Sequence, residues 1–364
     1  MAPSLRPGSA ASARKVPLVI PLEVDELTVA FFSQALDCDV ERAELVDAHT
    51  GTTGRARFGL SGDAHVPASV FVKLAPFDES QRKFVNMVGM GVTEARFYRD
   101  LSSEVPVRVP RAWYSEFDAD DRYVMVLEDL EATGCRFPTP QDPDVAARAL
   151  DIVEQLALLH RSYWESPRFA DDLSWLKGRG TGDGGGGANF IQMAVDSLGD
   201  RMDASFHRIA ELYLGHTADI VQLWGRGPRT LVHGDPHMGN LFVDVQGGDR
   251  TGFLDWAVIG CSPGMRDVAY VLCNSVPAEV RAPNERSWIK RYCALLDEAG
   301  ITLSFDDAWQ QYRLFALYSW VAATSTAGMG SKWQPIHIGL SGTKRATAAC
   351  AELGCVELVE ELLG

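Results

Sequence analysis

The sequence predicts an α+β chain in two lobes, a small β-rich N-terminal lobe with one main helix and a larger, mostly helical C-terminal lobe. Three observations lead there. Short strand-like runs crowd into the first 130 residues, helical spacing dominates after them, and one polar stretch flanked by short apolar runs, Leu231–Asn240, interrupts the helical half. At 364 residues the chain is long enough for two such units.

Residues 1–20 hold Arg6, Arg14 and Lys15 without an acid, and Pro17 and Pro21 break their only apolar run, so a disordered tail is expected. Leu27, Phe31 and Leu36 stand at helical spacing and predict a leading helix over Leu22–Leu36, outside the catalytic core. Ala43–His49, Arg55–Leu60 and Ser69–Leu74 read as strands. Gly51, Thr52, Thr53 and Gly54 join the first two in a turn whose backbone N–H groups can cradle phosphates.

Alternation along Val70–Lys73 puts Phe71 and Lys73 on one face. A lysine on an otherwise apolar strand needs a partner. The next helix offers one: Glu94, Phe97, Tyr98 and Leu101 fall at i, i+3, i+4 and i+7, which sets a carboxylate on the inward stripe. A Lys73–Glu94 ion pair is therefore expected. Val107–Phe117 and Arg122–Leu127 add two strands around the turn Asp118–Asp121, the second running into Glu128, Asp129 and Leu130.

Pro143–Trp164 then predicts a long helix, with His160 near its end as a satisfied core histidine. Gly178–Gly187 has seven glycines in ten residues, but no strand precedes it and no GK[ST] closes it, so it is expected to be a flexible insertion and a candidate lid. Ala188–Leu198 and Ser205–Trp224 follow as helices. Thr230–His233 is a strand, and Leu241–Val245 with Thr251–Leu254 forms a hairpin about Gly247, Gly248 and Asp249 that brings Asp255 back beside Asn240. Asp267 is expected to cap the helix Asp267–Asn274. In Ala308–Thr324, Trp309, Tyr312, Phe315, Tyr318 and Trp320 are open to two roles, lining an acceptor pocket or packing the helical lobe.

The polar stretch carries the chemistry. Asp235 and Asn240 are five residues apart and Asp255 lies fifteen further on. Mg²⁺ takes hard oxygen ligands and is usually held by one or two side chains plus substrate phosphates. Asn240 and Asp255 can supply those oxygens. Asp235 is then left to orient an incoming hydroxyl and accept its proton as the bond to phosphorus forms. His237, inside the same stretch, is expected to support the loop.

HGDxxxxN followed by a DW pair, here His233–Asn240 and Asp255–Trp256, resembles the aminoglycoside phosphotransferase family and its choline-kinase-like and ecdysteroid-kinase-like relatives. The resemblance covers residues 45 to 275 by motif. It implies the protein-kinase-like two-lobe fold, ATP and Mg²⁺ as cofactors, Asp235 as base, and Asn240 and Asp255 as metal ligands. It also implies that Lys73 and the Gly51–Gly54 turn hold phosphates, that Glu94 positions Lys73, and that the backbone about Glu128 and Leu130 meets adenine at the hinge. Phe71 lies over the adenine ring or packs in the core. In similar kinases an aspartate placed like Asp267 braces the catalytic loop. Only eleven residues separate Asp255 from Asp267, too few for an activation and peptide-docking segment, which disfavours protein acceptors.

With 34 Lys and Arg against 49 Asp and Glu, the net charge of −15 disfavours nucleic acid and anionic membrane as partners. The seven cysteines are scattered and form no CxxC pair, as expected of reduced thiols in the cytoplasm, and no apolar run is long enough to span a bilayer. The expected layout is a nucleotide-binding lobe over residues 21–129 and a catalytic and acceptor lobe over 130–364. The expected activity is ATP-dependent phosphorylation of a hydroxyl on a small molecule: aminoglycoside-like, choline-like or apolar. The rival is a catalytically silent nucleotide-binding regulator of the same fold. Nothing in the sequence reports the oligomeric state.

Overall fold

In a computed structural model, residues 19–176, 185–330 and 336–364 are described, so the expected tail and most of the glycine-rich segment lie outside the described residues. The N-terminal half is organised by a five-stranded antiparallel sheet. Its strands are β1 (Val40–Thr50), β2 (Gly54–Gly62), β3 (Ser69–Leu74), β4 (Ala112–Phe117) and β5 (Tyr123–Glu128), in the spatial order β1-β2-β3-β5-β4. Strand alternation gives the sheet two different faces. Ala56, Phe58, Val70, Val72, Val124 and Val126 turn to one side, onto Phe31 and Phe32 of helix α1 (Val29–Leu36). Met125 and Leu127 turn to the other, onto Ala95, Phe97 and Tyr98 of α3 (Met90–Asp100), which follows α2 (Glu79–Val88). Lys73 and Phe71 therefore open on the side that holds α3.

Two of the expected elements change shape. The leading helix is broken: a 3-10 turn at Val24–Glu26 precedes α1, which begins only where Thr28 Oγ1 accepts the Phe31 N–H at 3.3 Å. It packs the back of the sheet. The Val107–Phe117 run is strand only from Ala112, because Pro106 and Pro110 offer no N–H to a ladder. Arg108 instead bridges to Gly252 and ties the segment to the C-terminal half. The N-terminal lobe also has α2, a helix not expected beside the leading helix and the one main helix.

The C-terminal half is helical: α4 (Val145–Ser162), α5 (Gly185–Leu198), α6 (Ala204–Gly215), α7 (Thr217–Trp224), α8 (Met265–Ser275), α9 (Ala278–Asp297), α10 (Phe305–Gly328), α11 (Ile336–Glu352) and α12 (Cys355–Leu363). Tyr312, Phe315 and Trp320 of α10 are buried in its core, so most of that helix's aromatic surface packs the lobe. Two small antiparallel pairs sit among these helices. One joins β6 (Thr230–Val232) to β9 (Gly260–Ser262), and the other is the hairpin of β7 (Leu241–Asp244) and β8 (Arg250–Phe253). No helix of the described residues is long and apolar enough to cross a membrane.

Close packing under the sheet has one strict point. A Cβ on Gly91 would lie 1.9 Å from the Tyr123 ring, so only glycine lets α3 approach β5 this closely. Gly91→Ala is expected to destabilise the protein by about 1–3 kcal/mol and to draw Glu94 away from Lys73. Thermal unfolding reads the first effect; an unchanged Tm would mean that the helix shifts without cost.

Candidate active site

The loop after β6 is held from below. Gly234 has φ +90°, and a Cβ there would stand 2.2 Å from the Val258 carbonyl oxygen, so the turn requires glycine. The buried Asp267 carboxylate accepts the His233 N–H at 2.7 Å and the Gly234 N–H at 2.9 Å, and His160 Nε2 stands 3.3 Å away. Asp267 lies in the first turn of α8, but its oxygens serve the loop. The expected cap is instead a brace, because α8 begins two residues earlier than its apolar pattern indicates. His160 Nδ1 meets Tyr292 Oη at 2.8 Å, which makes it the satisfied core histidine expected. Burial lowers the pKa of His233; its Nε2 donates to the Leu254 carbonyl and its Nδ1 accepts the Asp235 N–H.

Asp235 is thus fixed through its backbone while its carboxylate faces a cleft. Asn240 Nδ2 donates to both the carbonyl and Oδ2 of Asp235, at 3.0 Å each. That use of the amide nitrogen leaves Oδ1 open as an acceptor. His237 Nε2 stands 3.7 Å from Asp235 Oδ2, while its Nδ1 accepts the Gly239 N–H and so shapes the loop. The β7–β8 hairpin carries the chain back, and the Leu254 N–H donates to the Asn240 carbonyl at 3.0 Å, setting Asp255 beside Asn240.

Across the cleft, Lys73 Nζ meets Glu94 Oε2 at 2.5 Å and Asp255 Oδ1 at 3.4 Å. Burial raises the pKa of Glu94 against the opposing effect of Lys73. Burial also works against ionised Asp255, yet Lys73 and Arg55 outweigh it and hold that carboxyl below its usual range. Phe97, one turn from Glu94, stacks on the buried Trp256 with centroids 4.1 Å apart and planes at 12°. The DW pair therefore joins an ion-pair residue to an aromatic anchor for α3.

The cleft has two adjoining chambers. The smaller, of about 240 Å³, is lined by Phe71, Lys73, Glu94, Glu128 and Leu130. The larger, of about 1080 Å³, contains Asp235, His237 and Thr52. Arg55, Gly239, Asn240 and Asp255 line both. Phe71 thus faces the cleft. Gly51, Thr53 and Gly54 do not line it: the Gly51 N–H is spent on the Thr53 carbonyl, and Thr53 is buried with its hydroxyl accepting from Arg55 Nε. The Glu128 carboxylate is held by Arg108 and the Arg111 N–H, and its own N–H donates to the Arg111 carbonyl.

Several site residues escaped the sequence reading. Arg55 and Arg57 pair in register with Lys73 and Phe71, and Arg55 Nη2 stands 3.8 Å from Asp255 Oδ2. Their alternation with Ala56 and Phe58 was the available signal. Tyr270, which shares the large chamber with Asp235, and Arg266 sit on a helix whose apolar pattern gives no hint of a chamber. As a metal site, Asn240 and Asp255 offer two hard oxygen donors, and the described residues hold no cluster of three His, Cys, Asp or Glu. Two such donors fit a cation that retains water and binds phosphate oxygens.

The Phosphotransferase enzyme family matches over residues 69–315. No curated protein matches by sequence. Among solved structures, a chain from Ralstonia eutropha JMP134 assigned to the aminoglycoside phosphotransferases aligns with TM-score 0.54 at 12% identity, covering 91% of this chain and 98% of that one. Choline kinase LicA from Streptococcus pneumoniae aligns with TM-score 0.52 at 15% identity over 90% and 99%. The GDP and kanamycin complex of APH(2″)-IIIa aligns with TM-score 0.54 at 13% identity over 90% and 99%. These likenesses establish the shared two-lobe, protein-kinase-like fold.

Proposed function

We propose, from the premise that this chain belongs to the phosphotransferase enzyme family, that it transfers the terminal phosphoryl group of ATP directly to a hydroxyl of a small organic acceptor. One observation carries the reading. Asp235 lies in the large chamber, Lys73 in the small one, and Asn240 and Asp255 belong to the wall between them. A nucleotide in the small chamber would present its phosphates at that wall, to an acceptor on the other side.

In this reading, residues 21–129 grip the nucleotide and residues 130–364 the acceptor. Lys73, held by Glu94, contacts the phosphates, and Arg55 adds a second cation from β2. Phe71 and the hinge about Glu128 and Leu130 take the base. The Gly51–Gly54 turn contributes through Thr52, its only member on the cleft. Asn240 Oδ1 and Asp255 would hold Mg²⁺, which when bound supplies neutralising charge at the transferred group. Asp235 accepts the hydroxyl proton as the acceptor oxygen bonds to phosphorus and the bond to the nucleotide's leaving oxygen breaks. Kanamycin in APH(2″)-IIIa and the choline kinase fold of LicA put amino-sugars and choline analogues on the acceptor panel beside neutral and acidic hydroxy compounds. The seven cysteines, none of them in a disulfide, accord with a cytoplasmic enzyme.

The test is Mg²⁺-dependent transfer of labelled phosphate from ATP, with GTP in parallel, to amino-sugars, choline analogues and hydroxylated lipids and acids. A phosphorylated acceptor is the expected result. Tight nucleotide binding with no acceptor phosphorylated would favour the silent regulator instead.

A further inference from the structure

Two arginines of the large chamber have no part in the transfer chemistry. Arg266, Tyr270 and Asn274 fall at i, i+4 and i+8 on α8 and all three line the chamber. Tyr270 packs beside His237 and lines the chamber with Asp235, so Arg266 stands one helical turn from a residue of the catalytic end. Arg266 is only 7% exposed, lies 4.3 Å from the Tyr318 ring centroid and donates through Nη2 to the Tyr318 hydroxyl. Its Nε has no hydrogen-bond partner, and the partner of its Nη2 is the Tyr318 hydroxyl and not a carboxylate. Arg345, on α11, donates to the Asn274 carbonyl and to Ser341 Oγ, and burial alone lowers its pKa.

Among the described residues three arginines are buried, Arg148, Arg266 and Arg281, and of these Arg266 alone has no carboxylate partner. Arg148 and Arg281, buried to a similar degree, are paired with Asp151 and Asp249 and with Glu285 and Glu352. Buried charges are normally compensated, and the chain has carboxylates in excess. Yet among the described residues that line the chamber, the acids are Asp235 and Asp255, both engaged in the site, against Arg55, Arg266 and Arg345. The chamber is also lined by apolar side chains, Phe84, Val88 and Met90 from α2 and α3 and Ala323, Met329 and Ile338 from α10, its C-cap and α11.

We infer that the acceptor is an amphipathic hydroxy compound bearing an oxyanion, a carboxylate or a phosphate, which Arg266 and Arg345 bind while its apolar body lies along the Met90 and Ile338 walls and its hydroxyl reaches Asp235. This rests on the phosphotransferase reading for the hydroxyl; the anion site stands on the arginines. Cationic acceptors would meet two uncompensated guanidinium groups.

Matched probes of one body test it: 4-(hydroxymethyl)benzoate, its methyl ester, the phosphonate and 4-(aminomethyl)benzyl alcohol, with the same four head groups on 12-hydroxydodecyl chains. Binding is read by calorimetry with Mg·ATP analogue present, and turnover by kcat/KM. Acid or phosphonate is expected to bind best, whichever dominates naming the oxyanion. The acid-to-ester ratio of kcat/KM is expected to fall about ten- to a hundred-fold in Arg266→Gln and in Arg345→Gln. Arg266→Lys, which keeps charge but loses the fork, serves if the glutamine variant unfolds. Preference for the amine, or an acid preference that survives both substitutions together, overturns the inference. Arginine-dependent anion binding without turnover of any probe would leave the anion site standing and remove the phosphotransferase reading. Turnover of neutral or cationic probes without anion binding would do the reverse.

Discussion

Replacing Asp235 with Ala is expected to lower turnover by on the order of 10²–10⁴-fold while nucleotide affinity stays within a few-fold of the parent. The split follows from the site's layout. Asp235 lines only the large chamber, whereas Lys73, Phe71 and Leu130 line the small one. The loop should survive the change, because the Asp235 N–H is held by His233 Nδ1 and its carbonyl by Asn240 Nδ2 and the His237 N–H, all backbone contacts that alanine retains. Asp235→Asn is the sharper variant: it preserves the side chain's volume and can still accept from Asn240, but it takes no proton at neutral pH. Equal losses in the two variants would assign the effect to proton transfer. Full turnover in Asp235→Asn would show that Asp235 only orients the hydroxyl, and full turnover in both would remove it from the mechanism.

The polar residues with local partners were legible in the sequence, and those with remote partners were not. The hairpin could be read from two short apolar runs around a glycine-rich turn, and it forms in the register Leu241 with Phe253 to Asp244 with Arg250. Lys73 and Glu94 were visible because each is a charge at an inward position of a periodic element, and such a position demands a partner. Arg55 carries the same signal in weaker form. It alternates with apolar neighbours on β2, but arginines on edge-ward strands usually face solvent, and only the pairing of Arg55 with Lys73 turns it to the cleft.

Arg266 and Arg345 had no such signal. Their meaning lies in what is missing around them, and carboxylates that stand elsewhere cannot be located from a single chain of letters. The same holds for Phe97 on Trp256, a stack between elements some 160 residues apart in sequence. Element edges failed for local reasons: Thr28 caps a helix inside a run that reads as continuous, and Pro106 and Pro110 withhold donors from a run that otherwise alternates. The Gly51–Gly54 turn shows a different limit, since only Thr52 of its four residues lines the cleft. Its composition suits a phosphate cradle, but the turn consumes the Gly51 N–H internally.

Asp267→Ala is expected to cost both stability and activity, although Asp267 lines neither chamber. Its carboxylate is fully buried, and burial opposes its charge; the His160 contact and the loop N–H groups reverse that and hold its pKa below the usual carboxylate value. Alanine would leave the His233 and Gly234 N–H groups unpaired in a dry setting, at about 1–3 kcal/mol each. The unfolded state pays no such penalty, so the cost appears directly in denaturant unfolding. Function should fall further than stability. The two N–H groups are what keep Gly234 at φ +90° and Asp235 at the mouth of the chamber, and a loop relaxed by about 1 Å can lose on the order of 10²-fold in rate. A kcat reduced at temperatures where the variant is still folded, with nucleotide affinity preserved, would identify Asp267 as a positioning residue. Asp267→Asn keeps one accepting oxygen and should restore part of the stability before it restores rate. If instead kcat recovers fully whenever the variant is folded, Asp267 stabilises the protein and has no role in aligning Asp235.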